Sequence, residues 1–209
     1  MIGNPFLTYV DALRRQNAKA VTFLQPGNPS AGAAIVAAFP DLDVPEDVIA
    51  LWRAFNGVAP SGDTPLGDVW LDGVFYFYAE AEAIEDYRGA LTLQDQEEFR
   101  DYWPAGFFPV ASPGDGSRLL VNCIAGSPTQ GSVYELIHGD GLYRRADSLA
   151  RYFETALVWL ERGATRVTFN GQVEPDFARA KTIARELNPG CDGWDDTLPP
   201  AHEIKDWRH

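Results

Sequence analysis

Four short apolar segments separated by strong turn sequences constrain the fold of this chain more than any other feature. Each is rich in β-branched and aromatic residues and predicts a strand: Phe107–Ala111, Arg118–Cys123, Ser132–Ile137 and Leu142–Arg145. Pro113–Gly116 joins the first two segments and His138–Gly141 joins the last two, and both sequences are typical of tight turns. Because strands joined by tight turns pair antiparallel, the sequence predicts a largely antiparallel sheet. With Val74–Tyr78 it has about five to six strands.

Amphipathic patterns around these strands predict helices that pack on the sheet. One helix follows Asp147 or Ser148, carries an apolar stripe from Leu149 to Leu160 and ends at Gly163. A helix with such a stripe must cover a sheet, so the predicted fold class is α+β. Further helices are predicted over Pro5–Lys19, Ala31–Phe39, Pro45–Phe55, Ala79–Leu91, Gln94–Trp103 and Asp176–Leu187.

The length of 209 residues predicts one domain, or one domain with an extension. We expect an α+β domain over residues 1–163 and a C-terminal helical extension over 164–209, packed on the same domain. The two cysteines form no disulfide framework, and no apolar run reaches the roughly 20 residues of a membrane helix. We therefore expect a cytoplasmic protein with no membrane association.

The distribution of charge excludes one large class of partners. The chain has 17 basic and 30 acidic residues, and residues 40–100 alone contain three basic and 14 acidic residues. Phosphate binding needs clustered lysine and arginine, so no nucleic-acid partner is expected. The acidic third of the chain is either a solvated surface or a face that meets a basic protein.

Sequence templates for enzymes are missing from the chain. It contains no phosphate-binding glycine loop, no serine-nucleophile elbow and no zinc-ligand spacing. Cys123 with His138 could form a nucleophile–base pair, but a cysteine at the end of a strand is more often a core residue. Asp63, Asp68 and Asp72 lack the regular spacing of a calcium loop. We expect no catalytic residues, no metal and no cofactor.

The order of several local motifs resembles a known family. The motifs are LWRAFNG at residues 51–57, FFPVA at 107–111, GDGSRLLVN at 114–122, GSVYELIH at 131–138 and SLARYFETAL at 148–157. Taken together over about residues 5–162, they resemble the SUKH superfamily, whose fungal founder is the Smi/Knr regulator of cell-wall synthesis.

The resemblance implies an α+β fold and a function without catalysis. Bacterial members are regarded as immunity proteins that bind a cognate toxin, frequently a nuclease, whereas fungal members are regulatory scaffolds. Trp52, Asn56 and Gly57 match the most recognisable motif. We expect structural roles for them, with Trp52 in the core and Asn56-Gly57 ending the helix, although a direct binding role stays open.

The residues also suggest where a partner would bind. The loop 58–73 places three aspartates beside a large aromatic side chain, and two glutamates follow in the next helix. The predicted partner-binding residues are Asp63, Asp68, Trp70, Asp72, Glu80 and Glu82. In the alternative, Trp70 folds into the core and the aspartates cap turns.

The most consistent function is therefore that of an immunity protein whose acidic face binds a basic toxin domain. A regulator or scaffold without a toxin partner is the alternative, and an unrecognised hydrolase is the third possibility. No oligomeric state is predicted.

Overall fold

A computed structural model describes residues 4–94, 96 and 103–208. The helices are α1 Pro5–Arg15, α2 Ala33–Ala38, α3 Glu46–Ala54, α4 Glu80–Gln94, α5 Leu149–Glu161, α6 Phe177–Leu187 and α7 Ala201–Ile204. The strands are β1 Leu24–Pro26, β2 Phe55–Val58, β3 Tyr76–Phe77, β4 Phe107–Ser112, β5 Arg118–Asn122, β6 Val133–Ile137, β7 Gly141–Ala146, β8 Thr165–Val167 and β9 Val173–Pro175. The helix predicted over Gln94–Trp103 lies largely outside the described residues.

The centre of the fold is the predicted antiparallel sheet. Its five strands follow the order β3-β4-β5-β6-β7, and each neighbouring pair is antiparallel, which confirms the prediction. Strand β3 is shorter than predicted because the side chain of Asp72 accepts hydrogen bonds from the backbone N–H groups of Val74 and Phe75. These two residues therefore belong to an Asx turn rather than to the strand.

Both faces of the sheet are covered by aromatic side chains. Phe107 and Phe108 are neighbours on β4 and point to opposite faces. The ring of Phe108 packs against Trp52 and Tyr87, on the side of α3 and α4. The ring of Phe107 packs against Trp207, near the C-terminus. This double burial explains why β4 is an unbroken apolar run rather than an alternating one.

The long helix α5 packs against α1 beside the sheet. Its N-cap is Ser148, whose Oγ accepts the N–H of Arg151 at 3.0 Å. On its apolar stripe, Phe153 lies 4.6 Å from the ring of Phe6 in α1 and 5.1 Å from that of Phe77 in β3. The amphipathic pattern therefore predicted both the element and the surface it buries.

The segment after α5 packs against the free edge of β7. Leu142 N–H donates to Nδ1 of His202, and Arg144 N–H donates to Oδ1 of Asp192 at 2.9 Å. The carbonyl of Arg144 accepts the N–H of Gly193 at 3.0 Å. These bonds occupy backbone groups that an edge strand would otherwise present to solvent.

We predict that residues 164–208 unfold together with the sheet, because Trp207 belongs to the same contiguous core as Phe107. Trp207→Ala should lower the free energy of unfolding by about 3–5 kcal/mol. Phe169→Ala is the control, since Phe169 is fully exposed on the same segment. Denaturant titration followed by circular dichroism measures both. A second, separate transition in the wild-type protein would contradict a single cooperative unit.

Candidate functional site

The motif at residues 51–57 ends differently from the prediction. Helix α3 stops at Ala54, and Phe55–Val58 forms β2, which pairs antiparallel with β1. The expectation that Asn56-Gly57 ends the helix as a cap is therefore wrong. Pairing with a segment some thirty residues earlier pulls the chain into an extended conformation, which a local capping argument cannot detect.

The three motif residues instead contact one short segment, residues 78–80, where β3 passes into α4. Trp52 is fully buried, and its indole N–H donates to the carbonyl of Tyr78 at 3.0 Å. Asn56 Oδ1 accepts the backbone N–H of Glu80 at 2.9 Å, which satisfies a free donor in the first turn of α4.

Gly57 allows the closest of these approaches. It has φ +75°, and a Cβ atom placed there would lie 2.2 Å from the backbone nitrogen of Ala79. Only glycine fits a left-handed conformation in such close contact with another backbone. The motif is thus a clamp, made of Trp52, Asn56 and Gly57, that fixes the start of α4 against the edge of the sheet.

Glu80, a predicted partner-binding residue, faces inward at this clamp. Its side chain is buried, with 4% of the residue exposed. Its two carboxylate oxygens accept hydrogen bonds at 2.7 Å from the Asn28 side chain and from the backbone N–H of Gly32. Glu80 therefore holds the loop that precedes α2, and it is not accessible to a partner.

Asp72 is also buried rather than exposed in the loop. Only 2% of the residue is exposed, and the hydroxyl of Tyr152 in α5 donates to its Oδ2 at 2.6 Å. Burial raises the pKa of the Asp72 carboxyl, and the hydrogen bonds from Tyr152, Phe75 and Val74 oppose that rise. Asp72 organises the turn before β3 and is not part of the exposed acidic surface.

Asp68 and Trp70 connect the loop to the rest of the molecule. Asp68 accepts hydrogen bonds from the Gln172 side chain at 2.8 Å and from Lys19 Nζ at 3.1 Å, and these two contacts lower its pKa. Trp70 is half-buried, and its indole N–H donates to the carbonyl of Pro113 at 3.3 Å. Most of this loop is therefore held by internal contacts.

Asp63 and Glu82 are the two predicted acidic residues that are exposed. Asp63 lies in the irregular segment that follows β2, and Glu82 lies in the first turn of α4. Glu82 Oε2 accepts the backbone N–H of Ala79 at 3.4 Å, in the manner of a capping box. The six predicted residues thus separate into a buried pair, two that are partly buried and two that a partner can reach.

The structure also assembles a cluster that sequence reasoning missed. Asp72 and Tyr152 line a cavity of about 140 Å³ together with Glu135 and Arg145 from the sheet. Trp159 and Trp194 form part of its wall. These residues come from distant elements and share no local motif, so only the fold brings them together.

Cysteine and metal chemistry find no support in the described residues. Cys123 is fully buried, and burial raises the pKa of its thiol, which opposes formation of a nucleophilic thiolate. Within residues 4–94, 96 and 103–208, no group of three or more histidine, cysteine, aspartate or glutamate side chains could hold a metal ion. None of the helices described there is long and apolar enough to cross a membrane.

A sequence model of the SMI1 / KNR4 family (SUKH-1) matches residues 33–155, from the start of α2 into α5. The matched region contains the whole clamp and the five-stranded sheet. No curated protein matches the chain.

We predict that Trp52→Ala acts on stability rather than on a binding surface. The side chain is fully buried, and its removal should lower the free energy of unfolding by about 3–5 kcal/mol. Trp70→Ala, at a half-buried tryptophan, is the matched control and should have a smaller effect. Thermal melting of both variants measures the difference. A Trp52→Ala protein that melts like the wild type would contradict a structural role for the clamp.

We predict that Asp72→Asn removes one pH-dependent contribution to the free energy of unfolding in the acid range. Because the pKa of Asp72 is raised in the folded protein above 3.8, the folded state binds this proton more tightly than the unfolded chain. The contribution of Asp72 to the free energy of unfolding therefore falls as pH rises from 3.8 towards the raised pKa, whereas carboxyls with lowered pKa values, such as Asp68 and Asp115, contribute in the opposite direction. Denaturant titrations across this interval should show the wild type and Asp63→Asn losing stability relative to Asp72→Asn as pH rises. The same pH dependence of the free energy of unfolding in all three proteins would contradict this role of Asp72.

Proposed function

Since the chain belongs to the SMI1/KNR4 family (SUKH-1), we propose that it is an immunity protein that binds and neutralises a cognate toxin. The proposed partner is a basic toxin domain, most simply that of a nuclease. In this proposal the chain is a binding module without catalytic activity. Its two cysteines are free and buried, which is compatible with action in the reducing cytoplasm.

The observation that carries this proposal is an excess of unpaired acidic charge on the surface. Most lysine and arginine side chains in the described part of the chain form ion pairs with aspartate or glutamate. With 30 acidic and 17 basic residues, this pairing leaves acidic side chains over. Asp41, Asp43, Asp63 and Glu82 are exposed and form no ion pair within the described residues.

An acidic surface of this kind suits an inhibitor of a nuclease. The active-site groove of a nuclease must be basic, because it binds the phosphate backbone of its substrate. An acidic binding module is attracted to that groove, and complementary fields raise the association rate towards about 10⁸–10⁹ M⁻¹s⁻¹ at low salt. The same charge repels nucleic acid, so the module does not compete for the toxin's substrate.

The proposed partner-binding face consists of Asp63 and Glu82, with the exposed part of Trp70 as an apolar contact. The buried Asp72 and Glu80 are no longer part of it. Asp68 contributes less than Asp63, since Lys19 and Gln172 already occupy its oxygens. Loops and helix termini held on a rigid scaffold are common positions for binding residues.

We predict that Asp63→Asn with Glu82→Gln slows association with the partner about two- to tenfold at low salt and weakens the salt dependence of the rate. The partner is first captured on the immobilised chain from the native cell and identified by mass spectrometry. Surface plasmon resonance across a salt series then measures the rates. Co-expression tests whether the chain restores the growth of cells that produce the captured protein.

The matched control is Glu161→Gln with Glu203→Gln, which removes the same charge from exposed positions at the ends of α5 and α7. Equal association rates for both double variants would move the binding face elsewhere. A captured partner that harms no cell would instead favour the alternative, a regulator or scaffold of the same family.

A further inference from the structure

A small cavity lies where the sheet, α5 and the C-terminal segment meet. Its volume is about 140 Å³. The lining side chains are aromatic, aliphatic or charged: Asp72, Val74, Phe75, Glu135, Arg145, Tyr152, Trp159, Pro175, Phe177, Ala180 and Trp194. Phe177 is 68% exposed, so its ring stands at the rim. The cavity therefore combines an aromatic wall with charged groups and borders the solvent.

The aromatic wall is held in place by hydrogen bonds. The indole rings of Trp159 and Trp194 meet edge to face, with centroids 5.5 Å apart. The N–H of Trp159 donates to the carbonyl of Ala180 at 2.9 Å, and that of Trp194 donates to the carbonyl of Arg145 at 2.6 Å. Both indoles are thus fixed before any ligand enters, and their faces carry the negative part of the ring quadrupole.

The charged groups in the wall leave one negative charge uncompensated. Arg145 Nε donates to Glu135 Oε2 at 2.7 Å, and its guanidinium lies 4.3 Å from the ring centroid of Trp194. Arg145 also donates to the carbonyl of Gly193. The guanidinium of Arg145 is therefore already engaged by Glu135, Gly193 and Trp194. The charges of Glu135 and Arg145 cancel each other. Asp72 is the remaining charge.

Asp72 receives hydrogen bonds from neutral donors alone. Its oxygens accept the N–H groups of Val74 and Phe75 and the hydroxyl of Tyr152. In the part of the chain that the structure describes, no lysine or arginine forms an ion pair with it. A buried carboxylate without a cation is costly, and a cation beside it would remove that cost.

We propose that this cavity binds an organic cation: an alkylated ammonium group or the guanidinium or ammonium end of a basic side chain. Attraction to fixed aromatic rings and to a desolvated carboxylate is the chemistry by which proteins recognise such cations. The volume agrees, since a cavity of about 150 Å³ accepts a six-carbon ring. This inference goes beyond the proposed function, because the cavity is separate from the proposed partner-binding face. Binding of a small cation can be tested without the toxin.

The test compares two ligands of the same shape. Choline carries a quaternary ammonium group, and 3,3-dimethyl-1-butanol replaces its nitrogen with carbon. The indole N–H signals in ¹H–¹⁵N NMR spectra report on the site, and Trp159→Phe and Trp194→Phe variants assign the two relevant signals. We expect choline to shift these two signals saturably while the alcohol does not. An equal response to choline and to the alcohol overturns the proposal, and so does the absence of a shift with both choline and the arginine derivative described below.

A third probe separates the two sources of the cation. Nα-acetyl-arginine amide presents a basic side chain of the kind that a protein partner would insert. A response to choline alone supports a free amine as the natural ligand, and a response to the arginine derivative supports an insertion from a partner. Either response supports the cation site, and neither depends on whether the immunity function is correct.

Two substitutions test the walls of the cavity. Phe177→Ala should weaken choline binding about two- to fivefold, the range of an exposed cation–π contact, whereas Phe169→Ala should leave it unchanged. Phe169 is an exposed phenylalanine on the same segment that does not line the cavity. Asp72→Asn should weaken binding about tenfold or more, because it removes a buried charge at the site. Unchanged affinity in both Phe177→Ala and Asp72→Asn overturns the proposal even if choline binds.

Discussion

The backbone of residues 78–80 is the point that the other elements depend on. Trp52, Asn56 and Gly57 hold it from one side through two hydrogen bonds and a contact that excludes any Cβ atom. This contact positions the edge strand β3 and the first turn of α4 together. Because Glu80 then binds the loop at residues 28–32, the same point also fixes the approach to α2. One backbone junction thus connects α3, β2, β3, α4 and the loop before α2.

Acidic residues serve two separate purposes in this molecule. Asp72 and Glu80 act inside the protein, where each replaces a missing backbone hydrogen bond partner at an irregular turn. Exposed acidic side chains act instead through the electric field of the surface, and their contribution does not depend on exact geometry. Net charge and local charge density reflect the sum of both groups, so neither quantity identifies the residues that a partner would contact.

Elements that neighbouring residues determine could be predicted from the sequence. Elements that depend on contacts with residues far along the chain could not. The turns at residues 113–116 and 138–141 are encoded in neighbouring residues, and so the antiparallel order of β4 to β7 was accessible. The end of α3 was not, because it depends on pairing between β2 and β1. The burial of Asp72 likewise depends on Tyr152, 80 residues later in the chain. Residue type and spacing alone do not distinguish a buried aspartate in a turn from an exposed aspartate in a loop.

The contacts between β7 and the segment after α5 have a consequence for solubility. The region that matches the family ends at residue 155, before the segment that supplies Asp192, Gly193 and His202. A chain shortened to the matched region would carry a six-residue strand with its outer N–H and C=O groups unoccupied. Such a strand is a template for pairing with a second molecule. The C-terminal segment therefore occupies the strand edge at which pairing with a second molecule would begin.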